Sequence, residues 1–360
     1  MILLVSVSAR MLAELARREG HEVMALDRFG DLDLQRLCPS VSIRVGGMAA
    51  LVAAADGIRA DAVVYGAGLE NRPDLISRLA AHRTLLGCTP RTVQRVRDPA
   101  RLGASLRRAG LAYPRTRSEA PLDRDRRWLR KPLRSGGGRG VREWRGGALR
   151  AGQIVQERIE GLPCSAAAVA DGRSAALLGV SEQLIGRFGA RGYSWCGNLA
   201  PARLPAAEAE AICGHLAAEF GLVGLFGVDF VWDGERAWVL EVNPRPTASL
   251  ETIDAAYGTR SFAAHLEAYA ARLPTVDATP RAAAGKAVLF ATEAMRVPDT
   301  SGWMDRGIRD VPHPGEAIAA GHPICTLIAT GDSPEAVLAD LEARAAALRD
   351  ELRVEADVFA

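Results

Sequence analysis

Apolar positions fall into short runs separated by amphipathic stretches from the N-terminus onward. ILLVSVS (2–8) is a β-rich run, MLAELARREG repeats its apolar residues at helical spacing, and HEVMALD (21–27) is a second run ending at Asp27. Strand, helix, strand in that order implies a parallel sheet. DAVVYGAGLE (61–70) adds a strand that runs into a glycine turn, with the helix DLISRLAAH behind it. Residues 1–95 therefore read as one small α/β domain. A dinucleotide-binding turn fails here, because VSVSARM lacks the glycines of G-x-G-x-x-G that let backbone approach a pyrophosphate. Asp27 then reads as a turn residue, with ribose binding as the lesser alternative.

The pattern changes after residue 95. DPARLGASLRRAGLAYP (98–114) opens with an Asp-Pro helix start and ends at Gly110 and Pro114. Strand content then rises through RRWLRKP, QIVQERI, SAAAVADG and SAALLGVSE, followed by the helix AAEAEAICGHLAAEF and the pair LFGVDFVW and RAWVLEVN. These elements predict an α+β domain over 96–275. Farther on, KAVLFAT and ICTLIAT flank the Pro/Gly-rich PHPGEAIAAGHP. A last helix begins with Ser333 as N-cap, Pro334 in first position and Glu335 in the first turn. Residues 276–360 form a small C-terminal α+β domain or an extension of the one before it.

Composition narrows the function classes. A chain of 360 residues exceeds one ordinary domain. Its 45 basic and 43 acidic residues give a net charge of +2, so no global field favours nucleic acid. The basic stretch Arg124, Arg126, Arg127 and Arg130 lies among aspartates and reads as a solvated face. No segment approaches the ~18 apolar residues of a membrane span, and no basic prelude precedes the first apolar run, so a cytoplasmic protein is expected. Six scattered cysteines, with no C-x-x-C pair, read as buried thiols rather than zinc ligands or disulfides. Arginine almost wholly replaces lysine, leaving Lys131 and Lys286 alone.

Lys131 stands just before Ser135, Gly136, Gly137, Gly138 and Gly140 in RKPLRSGGGRGV (130–141). A P-loop has its lysine after the glycines, so this is a different device. Successive backbone amides in such a loop form an anion nest, and a lysine at the strand end adds a point charge. Taken by itself the segment is equally a hairpin linker.

GVDFVWDGERAWVLEVNPRP (227–246) supplies a second site. Asp-Gly between two strand-like runs signals a hairpin. Phe226, Val228, Phe230, Trp232, Trp238, Leu240 and Val242 all occupy even positions. If they share one core face, even pairs with even, which requires an odd-length loop at Trp232-Asp233-Gly234. Asp229, Glu241 and Asn243 then converge on the opposite face as a hard oxygen site suited to Mg²⁺. Asn243-Pro244-Arg245-Pro246 would hold Arg245 near the carboxylates; ordinary solvated sheet polarity is the alternative.

The segments KPLRSGGGRGV, VQERIEG and DFVWDGERAWVLEVNPRP, in that order, resemble the ATP-grasp superfamily, whose members include biotin carboxylase and D-alanine–D-alanine ligase. The resemblance implies an α/β and α+β chain with a Rossmann-like pre-ATP-grasp domain, a central lid around 112–155 and a C-terminal ATP-grasp subdomain. It further implies that Lys131 touches the α-phosphate of ATP, that Ser135 to Gly140 form the lid over the outer phosphates, and that Gln156 meets the adenine amino group. The backbone around Glu157 and Ile159 would bind the adenine edge. Asp229, Glu241 and Asn243 would hold Mg²⁺ or Mn²⁺, and Arg245 would steady the transferred phosphoryl group or an oxyanion. One departure stands out: a second lysine is expected near Asp98, but Pro99 follows. That contact is absent or passes to Arg95, Arg97 or Arg101.

The implied reaction joins a small-molecule carboxylate to an amine through an acyl phosphate, with a homodimer compatible. Tyr193 and Asn198 in GYSWCGNLAP are candidates for the acceptor site. A hydroxyl kinase would share every ATP residue, and a degenerate regulatory protein would explain the missing lysine. PHPGEAIAAGHPICTLIA resembles segments of ligases that add glutamate or an amine to one-carbon carrier cofactors of the methanopterin and methanofuran type.

Overall fold

The computed structural model describes residues 1–121, 126–277 and 279–358. Arg124 of the basic stretch lies outside the described residues. The first apolar runs become β1 (Ile2–Val5), α1 (Arg10–Arg18) and β2 (Val23–Asp27), followed by α2 (Leu32–Leu37), β3 (Ser40–Ser42), α3 (Gly47–Ala55), β4 (Ala62–Tyr65), α4 (Pro73–Leu79) and β5 (Thr84–Leu85). The five strands are parallel, in the order β3-β2-β1-β4-β5. Leu3 and Val5 enter one apolar cluster and Leu4 another. Burial on both faces is why β1 reads as an unbroken run. At the end of β2, Asp27 Oδ1 accepts the Gly30 amide at 2.9 Å, a turn contact.

Two short helices lead out of this unit, α5 (Pro90–Val96) and α6 (Pro99–Arg108). Asp98 caps α6 by accepting the amides of Ala100 at 2.9 Å and Arg101 at 3.2 Å, with Pro99 in first position. The lid follows as a small antiparallel sheet of β6 (Thr116–Arg117), β7 (Trp128–Pro132), β8 (Arg142–Glu143) and β9 (Gln153–Glu157), in the order β6-β9-β7-β8.

The body is an eight-stranded antiparallel sheet. It is built from β10 (Leu162–Asp171), β11 (Ala175–Ile185), β12 (Trp195–Ala200), helix α7 (Ala206–Phe220), β13 (Val223–Trp232), β14 (Ala237–Asn243), helices α8 (Leu250–Tyr257) and α9 (Ser261–Ala268), and β15 (Ala283–Phe290). After β15 come β16 (Met295–Arg296), β17 (Ile308–Arg309), β18 (Ala317–Ile318), β19 (Pro323–Gly331) and α10 (Pro334–Val358). The sheet order β14-β13-β10-β11-β12-β15-β19-β17 runs through residue 276 without a break. The C-terminal segment is therefore continuous with the body in its hydrogen bonds, while Trp303, Leu327 and Leu341 belong to a separate apolar cluster.

Register corrects the expected hairpin. Val228 pairs Val242 and Asp229 pairs Glu241, but beyond a bulge Phe230 pairs Val239 and Trp232 pairs Ala237. The loop is the even, four-residue Asp233–Arg236, closed by Asp233 Oδ1 accepting the Glu235 and Arg236 amides at 2.8 Å each. An even loop alone would set the two strands out of phase. Leu240, the extra residue of the bulge, restores Asp229 opposite Glu241. The consequence is that Ala237 and Val239 enter the core in place of Trp238 and Leu240. The Trp238 indole instead donates to Asp233 Oδ2 at 2.6 Å.

A buried charged node joins the parallel sheet to the body. Arg10 at the start of α1 pairs with Glu251 of α8 and, at 3.0 Å, with Asp310 after β17. Lys286 of β15 pairs with Glu251 at 2.7 Å.

Candidate active site

The hydrogen-bond ladder between β7 and β9 fixes Lys131. Lys131 lies opposite Ile154 and Leu129 opposite Gln156, and Lys131 Nζ reaches along the strand to donate to Gln156 Oε1 at 2.9 Å. The other end of that amide donates to Thr116 Oγ1 at 3.1 Å. Gln156 is 2% exposed, so both of its polar functions are committed inside the lid. Burial pushes the Lys131 ammonium down from its ordinary range; the carboxylates of Glu241 and Asp229 oppose this, and Arg97 adds to it. Glu157 donates its amide to Arg115 O at 2.8 Å and its carboxylate pairs with Arg126. Ile159 lies in the linker between β9 and β10.

In the glycine loop the carbonyls are bonded and the amides are free. Gly137 O accepts from Trp195, Gly136 O from Arg139, and Gly138 O from Val141. Among the described residues, the amides of Gly136, Gly137 and Gly138 donate to nothing, which is the polarity an anion nest needs. Gly138 has φ +71°, and a Cβ there would sit 1.9 Å from the Tyr193 carbonyl. Only glycine lets the loop lie this close to the strand edge.

Across the cleft, Asp229 and Glu241 are cross-strand neighbours. Gln183 Nε2 donates to Asp229 Oδ1 at 2.8 Å, and Asn243 Nδ2 donates to Oδ2 at 3.0 Å. Burial, and then Glu241 beside it, pushes the Asp229 carboxyl up to about 7. The two adjoining carboxylates suit a hard divalent cation, whose charge would relieve that shift, while Asn243 turns its amide nitrogen to Asp229 and its Oδ1 to Arg245. Arg245 Nη2 lies 3.3 Å from Asn243 Oδ1, and its Nε donates to Glu70 at 2.8 Å. Glu70, from the loop after β4, is 3% exposed. Tyr65 from β4 bonds Pro244 O at 3.0 Å, so the parallel sheet holds both ends of the Asn-Pro-Arg exit. Glu70 and Gln183 were invisible to the sequence pattern, since nothing local links them to residues 229–245.

Arg97 joins Lys131, Leu240 and Glu241 along one cleft. Asn198 lies elsewhere: it is 1% exposed, donates to Ser181 at 2.9 Å and accepts from Trp195 at 3.0 Å. Tyr193 meets the glycine loop through its backbone. In the C-terminal segment, His313 bonds Gly30 O at 2.9 Å and Glu316 pairs with Arg44 at 2.6 Å, contacts that seat it on the parallel sheet unit.

A lid sheet with free glycine amides, closing on a body sheet that carries adjacent carboxylates, defines an ATP-grasp architecture. Residues 96–249 match the family model of the ATP-grasp domain, so the chain carries an ATP-grasp domain within an ATP-grasp fold. A biotin carboxylase from Campylobacter jejuni in a β,γ-ATP complex superposes with a TM-score of 0.72 at 14% identity, over 94% of this chain and 89% of that one. The N5-carboxyaminoimidazole ribonucleotide synthetase of Thermus thermophilus gives 0.68 at 21% identity, over 98% of each chain. The biotin carboxylase domain dimer of Hydrogenobacter thermophilus 2-oxoglutarate carboxylase, in complex with MgADP, ADP and bicarbonate, gives 0.69 at 16% identity, over 92% of this chain and 86% of that one. No curated protein matches the sequence.

Proposed function

We propose that the protein is an ATP-dependent carboxylate–amine ligase that forms an amide through an acyl phosphate. The observation carrying this reading is the cleft itself, where Lys131 and Arg97 face Glu241, the cross-strand partner of Asp229. Two cations opposite two carboxylates suit a nucleotide polyphosphate with a divalent ion, and two of the structural relatives hold such nucleotides. Asp229, Glu241 and Asn243 would bind Mg²⁺ or Mn²⁺, which when bound neutralises phosphate charge.

In the first step a substrate carboxylate oxygen attacks the γ-phosphorus and ADP leaves. In the second the amine nitrogen attacks the acyl carbon, loses a proton, and phosphate departs. The chain's own groups orient these reactants. Lys131, held by Gln156, meets the nucleotide phosphates; the free amides of Gly136–Gly138 cover their outer oxygens. Arg245, aligned by Glu70 and Asn243, faces the charge that develops on the transferred group or on the acyl oxygen. The clasp of the glycine loop on Tyr193–Trp195 excludes water from the acyl phosphate.

The test is release of ADP and phosphate with Mg²⁺ across a panel of acids and amines, glutamate and aromatic amines of one-carbon cofactor pathways included. ADP formed only when an acid and an amine are both present supports the ligase. A phosphorylated product without amide would make it a kinase.

A further inference from the structure

At the edge of the parallel sheet opposite the nucleotide cleft lies a separate cavity of about 380 Å³. It opens where the chain enters β4 and β5, since Asp61 precedes the first of these strands and Arg83 the second. The turn after α3 forms the remaining wall, through Asp56 and Ile58. Both carboxylates of the lining are already matched, Asp56 by Arg78 and Asp61 by the Met1 ammonium at 2.6 Å. The basic side chains are not. Among the described residues, no carboxylate lies within ion-pair distance of Arg59, His82 or Arg83, whereas the nearby Arg72 and Arg78 each have one. Arg83 Nη2 donates to the carbonyls of Ala55 and Ile58, which closes the end of α3, and its Nε is buried without an acceptor. Among the described residues, the backbone amides of Arg59, Ala60, His82 and Arg83, all in the same lining, donate to nothing.

Two guanidinium groups without carboxylates, in one lining with free amides, make a cavity that favours negative charge. Arginine forks fit the oxygens of a phosphate and form charge-assisted bonds to it. The volume falls within the range of small-molecule sites. We infer that this cavity is a second anion site, taking a phosphate group, free or carried on a small metabolite, through Arg59, Arg83 and His82. The backbone at 59–60 and 82–83 supplies further donors. The site stands apart from the nucleotide cleft: the length of β4, ~13 Å at ~3.3 Å per residue, separates Asp61 from Tyr65 and from Glu70 beyond it. Both can therefore be filled at once, and the inference holds whether or not the cleft binds ATP.

The experiment is calorimetric titration of the full chain, without divalent ions, with inorganic phosphate and in parallel with glycerol 3-phosphate. Tighter binding of one over the other identifies the source of the phosphate group. Arg59→Ala is expected to weaken this binding at least ~10-fold, the loss of a charge-assisted contact, and His82→Ala should fall between it and wild type. Both residues are exposed, so their variants keep the fold, whereas Arg83 also holds the end of α3. Lys131→Ala, in the cleft, should leave the binding intact, as should Arg173→Ala, an exposed arginine of the β10–β11 turn. Asp56→Asn, which removes a carboxylate from the lining, should bind at least as tightly as wild type. A wild-type chain that binds neither probe at millimolar concentration overturns the inference. So does an Arg59→Ala chain that binds like wild type, an equal loss in Arg173→Ala, or a Lys131→Ala chain that binds neither probe. Arg59→Ala should also leave MgADP binding unchanged, which keeps this result distinct from any failure of the nucleotide site.

Discussion

Lys131 Nζ and Gln156 Oε1 are 2.9 Å apart on neighbouring lid strands, so the lysine proposed to meet phosphate is held by the side chain proposed to meet adenine. Replacing it tests that relationship. Gln156→Leu removes the acceptor from a lysine already pushed down by burial, a loss of ~1–3 kcal/mol for an unpaired buried group, while the Thr116 hydroxyl keeps its bond to Pro114 O. MgADP affinity should fall about tenfold. Gln156→Glu supplies a carboxylate and should retain or strengthen binding, as measured by calorimetry near neutral pH.

The carboxylate pair makes a prediction in which function and stability move in opposite directions. Asp229→Asn and Glu241→Gln should each cut Mg²⁺-dependent ADP formation by ~100-fold or more, because charge neutralisation at the phosphates is lost. In the fold, burial raises the Asp229 carboxyl to about 7 from an ordinary 3.8. A raised carboxyl opposes folding once pH exceeds the unfolded value, increasingly until about 7. Without divalent ions at about pH 8, Asp229→Asn should therefore melt at a higher temperature than wild type. Thermal melts with and without Mg²⁺ check both parts.

Two neighbouring glycines should respond differently to a methyl group. At Gly138 the added carbon meets the Tyr193 carbonyl at 1.9 Å with φ +71°, while at Gly136 it meets nothing within 4 Å and φ is ordinary. Gly138→Ala should push the loop off Trp195 and raise the KM for ATP several-fold; Gly136→Ala should leave it close to wild type. Steady-state kinetics on the two variants distinguish a packed lid from a slack one.

His265 makes one prediction about acid stability. Its Nδ1 accepts the Leu225 amide at 2.9 Å, and burial pushes its pKa down to about 4 from an ordinary 6.5. Below that unfolded value the unfolded chain takes a proton that the folded chain refuses. Stability should thus drop by about 1.4 kcal/mol per pH unit between roughly 6.5 and 4 from this group. His265→Gln, which keeps an acceptor but not the titration, should flatten that slope in urea melts run across the same pH range.

Long apolar runs and caps were legible because each is a local property. The runs of β1, β2 and β4 and the Asp98 cap are read from residues a few positions apart, whereas Asp229 meets Glu241 as expected only because a bulge offsets an even loop. The hairpin shows where periodicity misleads: seven apolar residues at even positions implied an odd loop, yet Leu240 is a bulge residue that turns itself and Trp238 off the core face. Parity counts side chains and cannot see an inserted one. α2 and α5 are short, and α3, whose GMAALVAAA is apolar almost throughout, carries no amphipathic period to read. Glu70 and Gln183, which bracket Arg245 and Asp229, escaped it through distance along the chain, since only tertiary contact brings them to the cleft. Lys286 shows the opposite lesson, for scarcity alone singled it out and the fold spends it on Glu251.

That node has a mechanical meaning. Arg10 and Asp310 lie 300 residues apart in sequence, and with Glu251 and Lys286 they clamp the first helix, α8, β15 and the segment after β17 at one buried point. Pivoting the parallel unit on the body there would drag unpaired charge through low dielectric, so that seam behaves as a weld. The lid sheet joins the body through residues 109–115 and 158–161, so Glu70, Tyr65 and Gln183, which align Arg245 and the carboxylates, all lie outside it.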